Sequence, residues 1–141
     1  MADSLTILKR IKKMELDEQQ RILISKIKTQ DDLIQKKQNL IDNYEKEKLF
    51  AAQNPLMCDF GAYTEQFLKK KQVLENKISN LEKEITQIRD AMSDIFKEQK
   101  TFEILIKAHM KEKQKKLDEA EQKMIDEIGT NAYIKKHKNE T

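Results

Sequence analysis

The sequence predicts an all-α fold, a long antiparallel two-helix coiled coil (a helical hairpin) whose second helix is longer than its first. Three observations carry that prediction. Charged residues make up 38% of the 141 and aromatic residues only 6%, which leaves too little apolar material for a compact core. Breakers are nearly absent, Pro55 being the single proline and Gly61 and Gly129 the only glycines. The second half of the chain carries apolar residues at alternating steps of four and three, the spacing of a coiled-coil seam.

The first helix is expected over about residues 4–52, a stretch rich in Lys, Glu, Gln, Ile and Leu with no breaker. Its seam reads Leu16, Gln20, Leu23, Ile27, Gln30, Ile34, Lys37, Ile41 and Tyr44, with six apolar positions out of nine. A connection follows at about residues 53–61. Pro55 lacks a backbone donor and turns Asn54 away from helix, and Asp59 is placed to cap the next helix.

The second helix is expected over about residues 62–128. From Leu74 its seam runs through Ile78, Leu81, Ile85, Ile88, Met92, Ile95, Gln99, Phe102 and Ile106, nine of ten apolar. Beyond Ile106 the phase moves by one residue to Met110, Leu117, Met124 and Ile128, as at a stutter. Fully burying a large apolar side chain is worth roughly 1.5 to 3 kcal/mol, so nine left bare would forfeit on the order of 15 to 25 kcal/mol. The stripe needs a partner, and a short connection supplies the first helix at an effective concentration in about the millimolar range.

A monomeric hairpin is therefore expected, as one coiled-coil domain over residues 1–141. If facing residue numbers sum to about 115, Ile41 meets Leu74, Ile34 meets Leu81, Ile27 meets Ile88 and Tyr44 lies opposite Lys71. In that register the second helix overhangs by roughly 17 residues, about 25 Å, and its Leu117, Met124, Ile125 and Ile128 form a stripe that no internal helix covers. Such ordered apolar stripes mark binding sites. A basic tail is expected over residues 129–141.

Catalysis needs convergent groups in a concavity, which two helices do not offer, so the chain is read as no enzyme. His109 and His137 lie far apart without ligand spacing, and two isolated glycines make no phosphate loop, so neither metal nor cofactor is expected. The single cysteine, Cys58, has no internal disulfide partner and reads as an ordinary loop thiol of a reduced, cytosolic protein. No apolar leader or span is expected, Lys9, Arg10, Lys12 and Lys13 interrupting the first apolar positions.

Net charge is +3, from 28 basic against 25 acidic side chains of interspersed sign, a solvated helix surface rather than a polyanion clamp. Three basic clusters stand out: Lys69 to Lys71, Lys111 to Lys116 and Lys135 to Lys138. Without a groove or interleaved aromatics they read as solvated or protein-facing, and no nucleic acid is expected as partner.

The segments "YTEQFLKKKQVLENKI", "AMSDIFKEQKTFE" and "KMIDEIG" with a basic end, together with Tyr44 before the turn, resemble the flagellar export protein FliJ family, particularly its alphaproteobacterial forms, over nearly the whole chain. Injectisome stalk proteins of the same type are the near alternative, and a generic coiled-coil scaffold is the plainer one. The resemblance implies a cytoplasmic component of the flagellar type III export apparatus, peripheral to the inner membrane at the flagellar base through its partners. Its partners would be the export ATPase, the export-gate cytoplasmic domain and export chaperones, which the family escorts. By that resemblance Tyr44, Lys48 and Phe67, flanking the turn, are candidates for gate binding. Lys9, Arg10, Lys12 and Lys13, with Leu117, Lys123, Met124, Asp126 and Glu127, are candidates for the ATPase ring.

Overall fold

A computed structural model describes residues 2–56 and 59–140, and side chains within residues 3–138. Cys58 lies outside the described residues. Among the described residues there are two helices, α1 (Ala2–Gln53) and α2 (Phe60–Glu140), and they form the expected helical hairpin with the second helix longer. Contacts divide it into two compact units, Met14–Phe96 and Met1–Lys13 with Lys97–Thr141.

The unit from Met14 to Phe96 contains the turn, and local chemistry fixes both of its borders. The Asn54 backbone N–H and its side-chain Nδ2 both donate to the Phe50 carbonyl, at 3.0 and 3.1 Å, closing the last turn of α1 before Pro55 ends it. Asp59 caps α2 as its position suggested: its Oδ1 accepts from the Ala62 N–H at 3.2 Å. Among the described residues, a Cβ at the exposed Gly61 would meet only the Asp59 Oδ1, at an ordinary contact distance of 3.5 Å.

On α2 the seam from Leu74 to Ile95 faces inward residue for residue as the spacing required, and Ile85, 1% exposed, is its most enclosed member. On α1 the inward face differs from the expected one. Leu16, Leu23, Ile27, Gln30, Lys37, Ile41 and Tyr44 are half-buried as expected, but Gln19 and Leu33 take the places given to Gln20 and Ile34, and Ile34 is 47% exposed. Lys26 and Leu40 join the face in phase with Leu33, and Ile22 is half-buried at its edge. Long lysine stems can lie on apolar surface while their ammonium heads reach out. Here the heads meet α2 carboxylates: Lys26 with Glu84 at 3.0 Å and Lys37 with Glu75 at 3.2 Å, while Gln30 donates to Glu82 at 2.8 Å.

These bonds set the register. In this unit bonded residue numbers sum to 110 or 112, about one helical turn short of the expected 115. The physical reason is the start of α2 at Phe60, which brings an aromatic residue, Phe67, against Tyr44 in place of Lys71.

The other unit pairs the beginning of α1 with α2 from Lys97 onward. Leu5, Lys9 and Lys12 of α1 are half-buried with Gln99, Phe102 and Ile106 of α2. Lys9 meets Glu103 at 3.5 Å and Lys12 meets Glu98, so the interhelical pairs in both units run from an α1 lysine to an α2 glutamate. Exposed ion pairs of this kind contribute up to about 1 kcal/mol each, and their consistent sense favours one alignment. Beyond Ile106, residues 107–138 are all exposed. Helix α2 runs through Gly129 to Glu140, past the helix end expected near residue 128, so the basic segment that follows Gly129 is part of the helix. Gly129 takes an ordinary backbone conformation with open space around it, and one such residue lowers helix stability without ending the helix.

Candidate partner-binding surfaces

The first surface lies at the turn. Phe60, Thr64 and Phe67 fall at steps of four and three on α2, which places them on one helix face, opposite Tyr44 of α1. The Tyr44 and Phe67 rings stack with centroids 4.0 Å apart and planes 9° off parallel. Phe60 and Tyr63 extend the stack at 5.5 and 6.1 Å from Tyr44, and the Tyr44 hydroxyl shares a 3.2 Å hydrogen bond with Thr64 Oγ1. Phe67 is 8% exposed and Tyr44 half-buried, so the two aromatic members of the three gate-binding candidates hold the hairpin together before they hold anything else. Lys48, one turn beyond Tyr44, is exposed. Around them Leu49, Phe50, Leu56, Tyr63 and Leu68 stand exposed. The sequence reading missed Phe60, Tyr63 and Thr64 because it began the second seam at Leu74; the steps from 60 to 67 carried the signal.

On one flank of this unit an open groove of about 410 Å³ is lined by Leu40, Val73 and Leu74 with Lys36, Lys69 and Lys70. Concavity is thus present where the sequence reading expected none, as a shallow inter-helix depression. Within the neighbouring basic cluster Lys69 pairs with Glu65 at 3.6 Å and Lys71 with Glu75 at 3.9 Å.

The second candidate set falls on two separate stretches. Lys9 and Lys12 are engaged with Glu103 and Glu98, whereas Arg10 and Lys13 are exposed. Glu103 has its carboxyl held below the ordinary range, chiefly by the hydrogen bond from Lys100 and less by the charges of Lys100 and Lys9. Leu117, Lys123, Met124, Asp126 and Glu127 all lie on the bare part of α2, with Leu117 56% and Met124 65% exposed. Lys123 is some 20 residues past Glu103, about 30 Å along a helix, so the structure does not bring the α1 cations to these residues. Lys123, Asp126 and Glu127 do share one shallow depression with Thr130 and Asn131.

The last turns hold a pair that the sequence reading did not anticipate. Tyr133 and His137 sit at i,i+4 with ring centroids 4.3 Å apart, edge to face, and are joined by a hydrogen bond. Ending the helix near residue 128 concealed that spacing. Among the described residues no helix is long and apolar enough to cross a membrane, and no three His, Cys, Asp or Glu side chains gather to hold a metal ion.

No curated protein and no solved structure matches the chain. The family model described as "Flagellar FliJ protein" matches residues 1–138, nearly the whole sequence. The chain belongs to the flagellar FliJ protein family, and with it to the components of the flagellar export apparatus.

Proposed function

We propose that the chain acts as a stalk and chaperone-escort protein of the flagellar type III export apparatus, linking the export ATPase ring to the cytoplasmic domain of the export gate. The observation that carries this reading is the bare stretch of α2. Residues 107–138 are helical yet exposed throughout, and Leu117, Met124, Ile125 and Ile128 are each more than half exposed. Large apolar groups held in fixed order on a helix face gain by burial against a partner surface. The flanking Lys123, Asp126 and Glu127 supply charges of both signs for orientation. The turn end, with Lys48 beside the aromatic stack and exposed Phe50 and Leu56, is the surface we assign to the gate. The site of action is the cytoplasmic face of the flagellar base.

The test is reconstitution with the export ATPase. Wild-type chain is expected to co-purify with the assembled ATPase and raise its hydrolysis rate, and Leu117→Glu with Met124→Glu is expected to abolish both while far-UV circular dichroism of the hairpin stays unchanged. A chain without effect on the ATPase, whose deletion leaves motility intact, would return the protein to a plain coiled-coil scaffold.

A further inference from the structure

The bare stretch of α2 has an internal symmetry that the stalk reading does not use. Reflected about Leu117, Met110 maps onto Met124 and Ile106, just before the stretch, onto Ile128, while Ile125 maps onto His109. Its charges map with opposite sign, Lys116 onto Asp118, Lys115 onto Glu119, Lys113 onto Glu121 and Lys107 onto Glu127. Residues 107–116 carry five lysines and one glutamate, and residues 118–127 carry five acidic groups and one lysine, so the two blocks hold +4 and −4. All of these side chains are exposed except Ile106, which is half-buried at the end of the hairpin seam.

That order does little for the helix itself, because a lysine one turn before an acidic residue is the weaker arrangement of an i,i+4 pair. Within the stretch Asp118 and Asp126 instead accept from Gln114 and Gln122, at 2.9 and 3.0 Å. Against a second helix the order matters a great deal. A parallel copy would set basic block against basic block, whereas an antiparallel copy sets each block against its opposite and brings Leu117 onto its own counterpart.

We propose that residues 107–127 pair antiparallel with the same segment of a second copy of this chain, centred on Leu117. Met110 then packs on Met124 of the second copy, each basic block lies along an acidic block of the other helix, and Lys113, which sits near the Leu117 face, comes nearest to Glu121, a match that forms twice about the two-fold axis. Lys111 and Lys123, the one like-charged match in the sequence, point away from the Leu117 face. Pairing within the hairpin is untouched, since the segment begins where the half-buried seam of α2 ends, at Ile106. The dimer occupies the stripe when no other partner does.

Sedimentation equilibrium of the full chain tests this over about 1 μM to 1 mM protein and about 50 mM to 1 M salt. The expected result is a monomer–dimer equilibrium that weakens with salt. Lys113→Glu/Lys115→Glu/Lys116→Glu and Asp118→Lys/Glu119→Lys/Glu121→Lys should each self-associate at least about ten-fold more weakly, and an equimolar mixture of the two should restore a 1:1 dimer. Circular dichroism of each variant establishes that the hairpin is intact. In a Cys58→Ser background, Met110→Cys and Met124→Cys chains should cross-link on oxidation when mixed and not when alone. A monomer at every concentration, reversal variants that associate as tightly as wild type, or cross-linking of each cysteine variant with itself would each overturn the proposal. A wild-type chain that stays monomeric yet stimulates the ATPase would sink the dimer and leave the stalk reading standing.

Discussion

Tyr44 shows how much one side chain sets in a two-helix structure. With only two helices to share it, burial is thin, and Phe67 and Ile85 are the apolar side chains that fall in the buried class among the described residues. Stacked aromatic pairs add about 0.5 to 1.5 kcal/mol beyond area burial, so the Tyr44–Phe67 stack is a strong local determinant of register. Phe67→Ala is expected to destabilise the chain by about 3 kcal/mol, seen as a lower urea midpoint. Tyr44→Phe keeps the stack and loses the bond to Thr64, a cost of at most about 1 kcal/mol. The contrast between the two checks that stacking dominates. Glu103 gives a second expectation at this scale. Its carboxyl sits below the ordinary value of 4.5, mainly through Lys100. A lowered pKa means stabilisation that is present above the ordinary carboxylate range and lost as pH falls below it through the shifted value. Carboxyl NMR titration of the native chain should therefore find Glu103 titrating below 4.5, and Lys100→Gln should move it back upward.

Helix α1 is where sequence and structure part, and lysine is the reason. A search for apolar residues at alternating steps selects Ile34 and passes over Leu33, because Leu33 keeps phase with Lys26 and Lys37 rather than with isoleucines. Those lysines count as polar in the sequence, yet their stems serve as seam and their heads meet Glu84 and Glu75. Helix α2, whose seam holds true apolar residues, was legible from Leu74 to Ile106 without error. The one-turn slip in register followed from α1's ambiguity and from setting the start of α2 past Phe60. Cysteine pairs separate the two registers: in a Cys58→Ser background, Leu33→Cys with Ile78→Cys should close a disulfide on mild oxidation, and Ile34→Cys with Leu81→Cys should not. The binding surfaces were legible to different degrees. Exposed Leu117 and Met124 followed from the missing first-helix partner, whereas the aromatic group at the turn needed the true start of α2. Gly129 misled in another way, since in an exposed helix it costs about 1 kcal/mol rather than acting as a stop. With open space where its Cβ would lie, Gly129→Ala should strengthen the last turns by about that amount, read as slower amide exchange over residues 130–138.

For the whole molecule the question is whether its two units serve two partners independently. The turn group of Tyr44, Phe60, Tyr63 and Phe67 belongs to the unit Met14–Phe96, and the bare stretch of α2 belongs to the other. Substitutions far apart with no shared contacts combine additively, so functions carried by the two units should be separable by substitution. Lys48 is suited to the turn end because it is exposed and outside the stack, so its replacement leaves Tyr44 on Phe67. Lys48→Glu is expected to weaken binding of the gate's cytoplasmic domain about ten-fold or more, a charge reversal at a contact costing about 1.4 kcal/mol or above, with ATPase stimulation unchanged. Leu117→Glu with Met124→Glu should do the reverse, losing the ATPase and keeping the gate. Each variant alone should abolish swimming, because a link between two partners fails at either end, and mixing the two in one cell should not restore it. Restored swimming would mean that separate chains can serve the two partners, and the role would then be two bindings and not a link.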